Sequence, residues 1–573
     1  MGSNLIFHIF SFLISIFIPI SLIYFWGLTG LDFDNGIQWT EILLTENIWI
    51  DYPHHPYILF ILNIFQNIIL FPQEQLYKTI TIYIIFYSVG IMGFSLIVSL
   101  FPLKNIEKIL IIIITSVSPC LLYQLRSLED NLIGFPFLVW ALYYFISYIH
   151  NPNISKIIAS SVLSSLSLVI GLTYIGWIGG LGLGFLVFPF FVSKNWKDSL
   201  KNGIIYGFLT IILVLVLSFL KDFASSQNLF YTLKLFSKSP YELYCSFVSQ
   251  FSVSLLGISW SILSTILAIF GLDTFMATSQ PLKIYILFIA IFITFIYITY
   301  SNFNKNTLYF PLCMGISFAG IFNMAYNATS LDNTYYERGD WVVLAIPLFL
   351  ILLMIELNWK WKNLILVFFI VAPLSSYLYF QRNVSGEYKE MTYAKKNFST
   401  YFYDYSYFLE FGKEDSMSEH TTKTLGNLCE EKEFKESYSV IGMLNLTFDS
   451  NCYIYNSKNY PEFPTKCKYI NQKEELLGVV NKSPNPYSQN LIKYEIGELS
   501  DNPDCSTLLE QFKDCSSLLT QATPKVQKKL QESILKVCNS NPSESLQCLT
   551  KYRDSCRPFN GCVMKNYVKG QNN

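Results

Sequence analysis

Two short acidic clusters interrupt the otherwise apolar first two thirds of this chain. The first lies in GLDFDNGIQWTEILLTENIWIDYPHHPYILF and holds Asp32, Asp34, Glu41, Glu46, Asp51, His54 and His55. The second lies in YQLRSLEDNLIGF and holds Arg126, Glu129, Asp130 and Asn131. Carboxylates brought together from two short loops can deprotonate an acceptor hydroxyl or amide, or hold a divalent cation against a phosphate leaving group. Taken singly, each is equally an ordinary solvated loop residue. A third segment, NTYYERGDWVVLAIP, puts Arg338 just ahead of an apolar run. A guanidinium is permanently charged and binds oxyanions bidentately, which suits a phosphate; the alternative is an ion pair with Glu337 or Asp340. His54 and His55 either help bind that phosphate or cap a helix opening at Pro56.

These polar groups stand out because the surrounding sequence has so few. Of 573 residues, 52% are hydrophobic and 14% charged, against about 25% charged in an average soluble chain. Residues 1–380 carry 33 Lys, Arg, Asp and Glu and residues 381–573 carry 48, about 9% against about 25%. The two parts are therefore built for different solvents, hydrocarbon and water. A net charge of -1 excludes a strongly basic nucleic-acid binder, and five histidines leave little for a His-rich metal site.

A helix crossing a bilayer needs about 20 mostly apolar residues. Such runs lie near 5–26, 78–101, 107–124, 132–149, 156–173, 175–192, 203–220, 247–272, 283–300, 307–325, 341–357 and 363–380. The shorter run 57–71, between Pro56 and Pro72, suits an interfacial helix. The first run has neither a basic flank nor a small-residue cleavage site, so it reads as a retained span. Lysine-bearing short loops at Lys104 and Lys108, Lys156, Lys194, Lys197 and Lys201, then Lys360 and Lys362, mark one side as cytoplasmic. Both acidic clusters then fall on the opposite, extracytoplasmic face. Cysteine usage wants the C-terminus on that face too, which calls for one more crossing between 221 and 282 and about thirteen in all. The expected fold is an α-helical polytopic bundle with a C-terminal extracytoplasmic domain. Charged groups near the midplane cost about 3 kcal/mol each, so the few retained at span ends are the candidates for function.

Three regions follow: a membrane domain at 1–380, a mixed region at 381–500 and a Cys-rich helical subdomain at 501–573. Residues 381–573 contain Cys429, Cys452, Cys467, Cys505, Cys515, Cys538, Cys548, Cys556 and Cys562. Without any close Cys-x-x-Cys pair for zinc, the expectation is disulfides in an oxidising compartment. From 505 onward, STLLEQFKDCSSLL, PKVQKKLQESILKVC and SESLQCLTKYRDSC read as helices stapled to one another. Sequon patterns occur at Asn383, Asn397 and Asn445. Cys120, Cys245 and Cys313 lie in or beside apolar runs and read as packing residues. Trp177 lies in GWIGG, where Gly176, Gly179 and Gly180 favour tight helix packing over a sugar platform.

An acidic residue after the first span, an amphipathic stretch ending in His55-Pro56 and a second acidic turn after the third span resemble membrane-integral glycosyltransferases of the GT-C type, which use polyprenyl-phosphate or polyprenyl-diphosphate sugars. Within that superfamily, RSLEDNLIGFPF followed some 40 residues later by TYIGWIGG is similar to the catalytic subunit of oligosaccharyltransferase. The likeness covers roughly residues 1–200. The Trp-Trp-Asp-Tyr-Gly motif that reads the acceptor sequon in that subunit has no counterpart, since YFYDYSYF at 401–408 is not equivalent.

What the resemblance implies is transfer of a sugar from a polyprenyl carrier to a protein, glycan or lipid acceptor. Asp34 or Asp32 would be the general base or the acceptor-positioning carboxylate. Glu129 and Asp130 would hold Mg or Mn if the reaction is metal-dependent, or partner the acceptor. Arg338, Arg126, His54 and His55 would bind the donor phosphate. The alternatives are oligosaccharyltransferase-like protein N-glycosylation, and a polytopic transporter or non-enzymatic membrane protein. A transporter is disfavoured because the charges gather at span ends and no inverted repeat is evident.

Overall fold

The computed structural model describes chiefly residues 2–28, 57–70, 74–129, 131–171, 174–194, 196–224, 281–327 and 340–381, and from the remainder 401–404, 444–446, 452–455, 465–472, 505–515, 524–540 and a few single positions. The chain divides into two compact units. Met1–Glu390 with Ser416–Lys432 and Tyr438–Thr447 form one; Met391–Asp415, Glu433–Ser437 and Phe448–Asn573 form the other.

The described residues of the first unit up to 381 are helical. The elements are α1 (Gly2–Trp26), α2 (Ile58–Ile68), α3 (Gln75–Ser99), α4 (Asn105–Ser116), α5 (Pro119–Ser127), α6 (Asn131–His150), α7 (Ile154–Ile170), α8 (Ile175–Ser193), α9 (Trp196–Ala224), α10 (Pro281–Asn304), α11 (Phe310–Asn327), α12 (Asp340–Glu356) and α13 (Asn363–Gln381). Among the described residues, five helices are long and apolar enough to cross a membrane: Phe7–Trp26, Gln75–Ser99, Asn131–His150, Ile175–Val192 and Trp196–Phe223. They number six if α4 and α5, bent by 44°, count as one broken span. Thirteen crossings are thus not what the described helices supply. The reason is local. Pro119 at the first position of α5 lacks an N–H and starts a new axis inside the run 107–124. The expected runs at 156–173, 307–325, 341–357 and 363–380 hold shorter apolar helical stretches among the described residues, Ile154–Ile170, Phe310–Phe322, Trp341–Glu356 and Asn363–Ser375. The expected crossing between 221 and 282 falls largely outside the described residues. The run at 57–71 forms the 11-residue α2, about 16 Å long at 1.5 Å per residue and too short to span.

Packing follows from small residues and hydroxyls, as expected where lipid removes the hydrophobic drive between helices. A Cβ on Gly180 of α8 would overlap the Gly315 carbonyl of α11, and one on Gly315 would meet the Gly180 carbonyl oxygen at 2.7 Å. Backbone touches backbone there, which only glycine allows. Buried serines of α7 tie it to its neighbours: Ser160 donates to the Ala141 carbonyl at 3.0 Å, Ser165 to the Thr210 carbonyl at 3.1 Å, and Ser164 pairs with the Tyr206 hydroxyl at 2.7 Å.

One end of the bundle is closed by lysines. Lys108 Nζ donates to the Ser99 carbonyl at 3.2 Å, and Lys156 Nζ to those of Ser147 and Asn151 at 2.8 and 2.9 Å. Lys362 Nζ donates to Met354 at 2.8 Å and pairs with the buried Glu107 carboxylate at 3.0 Å. Lys305 pairs with Glu356. Each of Lys108, Lys156 and Lys362 reaches back from the start of one helix, or the turn before it, to the last carbonyls of the helix preceding it. Those carbonyls lie at the negative end of the helix dipole, where a cation is favourable.

The second unit contains three parallel strands, β1 (Tyr401–Asp404), β2 (Cys452–Tyr455) and β3 (Lys468–Ile470), in that order, with Tyr401 opposite Cys452 and Tyr453 opposite Lys468. Cys452 at the start of β2 is bonded to Cys467, just before β3. Helices α14 (Cys505–Cys515) and α15 (Pro524–Ser540) follow. On α14, Cys505, Leu508, Leu509 and Phe512 fall at i, i+3, i+4 and i+7, one helical face. They pack with Ile534, Cys538, Cys548 and Val563. Cys505–Cys538 staples the two helices and Cys548–Cys562 closes the chain beyond. The disulfide expectation therefore holds for six of the nine cysteines. Cys429 and Cys556 lie outside the described residues, as does the side chain of Cys515. Cys120 and Cys313 are buried, as packing residues should be; Cys245 lies outside the described residues.

Candidate functional site

At the end opposite the lysines, the second acidic cluster is built around a strained turn. Helix α5 stops at Ser127, and Leu128 takes a left-handed conformation at φ 55° and ψ 44°. Left-handed backbone costs a non-glycine residue about 1–2 kcal/mol. The turn is held because the N–H groups of both Leu128 and Glu129 return to the Gln124 carbonyl, the latter at 2.8 Å. This pair of bonds to one carbonyl closes the helix C-terminus. The fully buried Leu128 side chain adds an apolar anchor. The turn then hands directly to α6, with the Leu132 N–H on the Glu129 carbonyl at 3.1 Å.

Arg126 is wholly buried one helical turn before this point. Its Nε donates to the Gly27 carbonyl at 2.8 Å, one terminal nitrogen to the Trp26 carbonyl at 3.4 Å, and the other to the Tyr377 hydroxyl at 3.5 Å. Gly27 ends α1 with φ 71°, a glycine-favouring value. The guanidinium therefore seals the C-terminus of α1, where a cation also complements the dipole, and joins α1 and α13 to α5. Glu129 is buried, with its Oε1 3.5 Å from the Asn131 amide nitrogen. Tyr174, at the mouth of α8, donates to the Asn131 carbonyl at 2.5 Å. The turn is thus braced from α1, α8 and α13.

A second anchor holds the other end of the first polar loop. The Tyr57 N–H lies on the Val169 carbonyl at 3.4 Å, at the C-terminus of α7. Its hydroxyl donates to the Leu217 carbonyl of α9 and receives the backbone N–H of Lys221. Burial, then the nearby Asp222 carboxylate, push the Tyr57 phenol up to about 12. Ile170, next to Val169, lies against Gly134, where a Cβ would meet both Ile170 and Tyr174. Gly134 is one turn from Asn131. The segment from 28 to 56 is therefore tied at its two ends to elements that flank the 128–131 turn.

Of the residues singled out from sequence, the structure describes Arg126 and Glu129 and brings them onto one turn. Asp32, Asp34, His54, His55, Asp130 and Arg338 lie outside the described residues. Glu129 offers hard oxygen donors of the kind Mg or Mn takes, but among the described residues no three His, Cys, Asp or Glu gather as a metal cluster. Asn445 is buried, so its sequon is not displayed for a glycan. Sequence reading missed Tyr57, Lys221 and Asp222. The last two are fully buried although they end α9, whose neighbouring Leu220 and Phe223 are 50% and 71% exposed. A Lys-Asp pair ending a long apolar run was the available signal.

Residues 479–564 match the model of a family described as Cys-rich protein. That segment holds six of the cysteines, including both of the helical subdomain's disulfides. No curated protein matches the chain.

Proposed function

We propose that this chain is a membrane glycosyltransferase that moves a sugar from a polyprenyl-phosphate or polyprenyl-diphosphate donor to a protein, glycan or lipid acceptor. The observation that carries this reading is the double anchoring of the first polar loop. Arg126 holds Gly27, only five residues before Asp32 and seven before Asp34, while Tyr57, the residue after His55-Pro56, is itself held against α7 and α9. A chain extends at most about 3.6 Å per residue, so Asp34 lies no more than about 25 Å along the chain from the Gly27 anchor beside the acidic turn. The resemblance of RSLEDNLIGFPF and TYIGWIGG to the oligosaccharyltransferase subunit supports the same assignment, as does a long-tailed donor that explains why so much of the chain is built for lipid.

In this mechanism Asp34, or Asp32, accepts the proton of the acceptor's nucleophile as it attacks the anomeric carbon. The bond to the lipid phosphate oxygen breaks, and that phosphate leaves with the charge stabilised by Arg338, with His54 and His55 beside it. Positioning and electrostatics supply the rate. Glu129 and Asp130 hold a divalent cation where one takes part and otherwise orient the acceptor. Arg126 positions rather than binds: the donor atoms named above are engaged on carbonyls and a phenol. In this reading the lysine-closed end is cytoplasmic, and the reaction and the Cys-rich domain are on the extracytoplasmic side.

The test is transfer of labelled sugar from a polyprenyl phosphate in membranes by Asp34→Asn and Asp130→Asn. Both should fold, and each should lose at least 100-fold in turnover, within the range general acid-base groups contribute. Two folded variants with unchanged transfer would remove the assignment.

A further inference from the structure

At the lysine-closed end of the bundle, the turn joining α12 to α13 reads Asn358-Trp359-Lys360-Trp361-Lys362, and its first four residues are exposed. Two indoles flanking a lysine suit the layer where headgroups meet hydrocarbon, because an indole is apolar over its rings and polar at its N–H. The turn is fixed by its main chain. The Lys362 N–H lies on the Trp359 carbonyl at 3.3 Å, that of Leu364 on Trp361 at 2.9 Å and that of Ile365 on Lys362 at 3.1 Å.

The two lysines of this turn have different occupations. Lys362 is engaged within the protein, on the Met354 carbonyl and the Glu107 carboxylate. Glu356, four residues before Lys360, accepts from Lys305 and Ser301 instead. Lys360 keeps only the Trp361 ring, whose centroid is 5.6 Å from its Nζ, and among the described residues no carboxylate pairs with it. Beyond the turn, Leu364, Val367, Phe368 and Val371 of α13 are between 40% and 58% exposed. They fall at i, i+3, i+4 and i+7, one face of the helix. From Leu364 to Val371 is about 10 Å at 1.5 Å per residue, which fits within one leaflet's half of a hydrocarbon core of about 30 Å. An unpaired cation, an indole pair and an apolar stripe thus succeed one another along the chain in the order of a phospholipid from headgroup to acyl chain.

We infer that the Trp359–Trp361 turn and the adjoining stripe of α13 bind a membrane phospholipid with a net negative headgroup, its phosphate against Lys360 and one acyl chain along Leu364, Phe368 and Val371. Charge complementarity selects the headgroup, since a lysine with no carboxylate of its own attracts an anionic lipid, whereas a zwitterionic lipid brings a competing cation. The stripe selects a lipid over a free phosphate, which has nothing to cover those side chains. This site is separate from the sugar transfer proposed above and does not depend on it.

The experiment uses the full chain in phosphatidylcholine nanodiscs containing a trace of phosphatidylglycerol or phosphatidylcholine with identical chains, each carrying a photoreactive diazirine on one acyl chain. Labelled peptides covering 358–371 are measured by mass spectrometry, with 208–216 on the exposed side of α9 as internal control. Phosphatidylglycerol should label 358–371 at least fivefold more than phosphatidylcholine, the equivalent of about 1 kcal/mol at 1.4 kcal/mol per decade, and the two should label 208–216 equally. Lys360→Gln should bring the ratio at 358–371 to within 1.5-fold of unity. Lys360→Arg, which keeps the charge and stacks on an indole, should retain it. Glycerol phosphate should leave the labelling unchanged. Equal labelling of 358–371 by the two lipids in wild type, or an unchanged preference in Lys360→Gln, overturns the inference. Displacement by glycerol phosphate would make this a site for a free phosphate and overturns it too.

Discussion

Replacing Arg126 by Gln separates a guanidinium that binds donor from one that holds the fold. The side chain is fully buried and makes one short bond, 2.8 Å to Gly27, and two long ones, 3.4 Å to Trp26 and 3.5 Å to Tyr377. A hydrogen bond from a charged donor is worth about 1.5–3 kcal/mol. Counting the short bond in full and discounting the long pair heavily for distance, the loss is about 3 kcal/mol, with a buried carbonyl at the end of α1 left without its cation. Among the five long apolar helices, α1 is one of the two least enclosed, with 22% of its most apolar stretch buried, so this tie is a large share of what docks its C-terminus. Thermal unfolding in nanodiscs should therefore shift by several degrees. Hydrogen exchange at the end of α1 should rise about 100-fold, the equivalent of that free energy at 1.4 kcal/mol per decade. Arg126→Lys should fall between, keeping charge but losing the planar fork. If Arg126→Gln unfolds like wild type and its only defect is a raised donor KM, Arg126 is a phosphate ligand and the clamp reading is refuted.

Three further outcomes follow from the packing. Gly180→Val should cost at least about 2 kcal/mol, because the added atoms meet the Gly315 backbone, which cannot rotate away as a side chain would; a melting point in detergent unchanged from wild type would contradict the close α8–α11 approach. Glu107→Ala leaves Lys362, itself partly exposed, without the carboxylate 3.0 Å away; breaking a buried pair costs about 3–5 kcal/mol, and partial exposure of the lysine should bring this to about 2 kcal/mol, read from the same melting curve. Loss of Cys505–Cys538 in a double Ser variant should destabilise the C-terminal subdomain by about 4 kcal/mol, from the chain entropy of a loop closed across 33 residues, and non-reducing peptide mapping of wild type should recover that linkage.

The helices and the disulfide-bearing end were legible because they rest on local signals. Apolar runs, the Pro119 break and cysteines with no metal-like spacing each act over a few residues. Span number was less legible: hydropathy weighs composition, whereas a crossing also needs unbroken length, and Pro119 interrupts one run without changing its hydropathy. The site was legible in part. Charge scarcity pointed to Arg126 and Glu129, but spacing could not tell that Arg126 reaches back 99 residues to a carbonyl. Tyr57 was invisible because tyrosine is unremarkable at a membrane boundary. Its distinction comes from Leu217, 160 residues away.

Scarcity of charge is itself double-edged as evidence. In a lipid-solvated bundle, helix ends that face no water must find donors and acceptors within the protein. Lys108, Lys156 and Lys362 answer that need at one end, and Arg126 answers it at the other. A lone cation near a span end therefore has a structural occupation open to it that requires no ligand at all. A carboxylate has the complementary opening at a helix N-terminus, where the first N–H groups and the dipole favour an acid. Glu129 lies between the end of α5 and the start of α6 and is buried there, so it too has a structural occupation open to it. Because Arg126 is engaged on two carbonyls and a phenol, Asp34 and Asp130, rather than that arginine, are the substitutions on which the proposed reaction should be judged first.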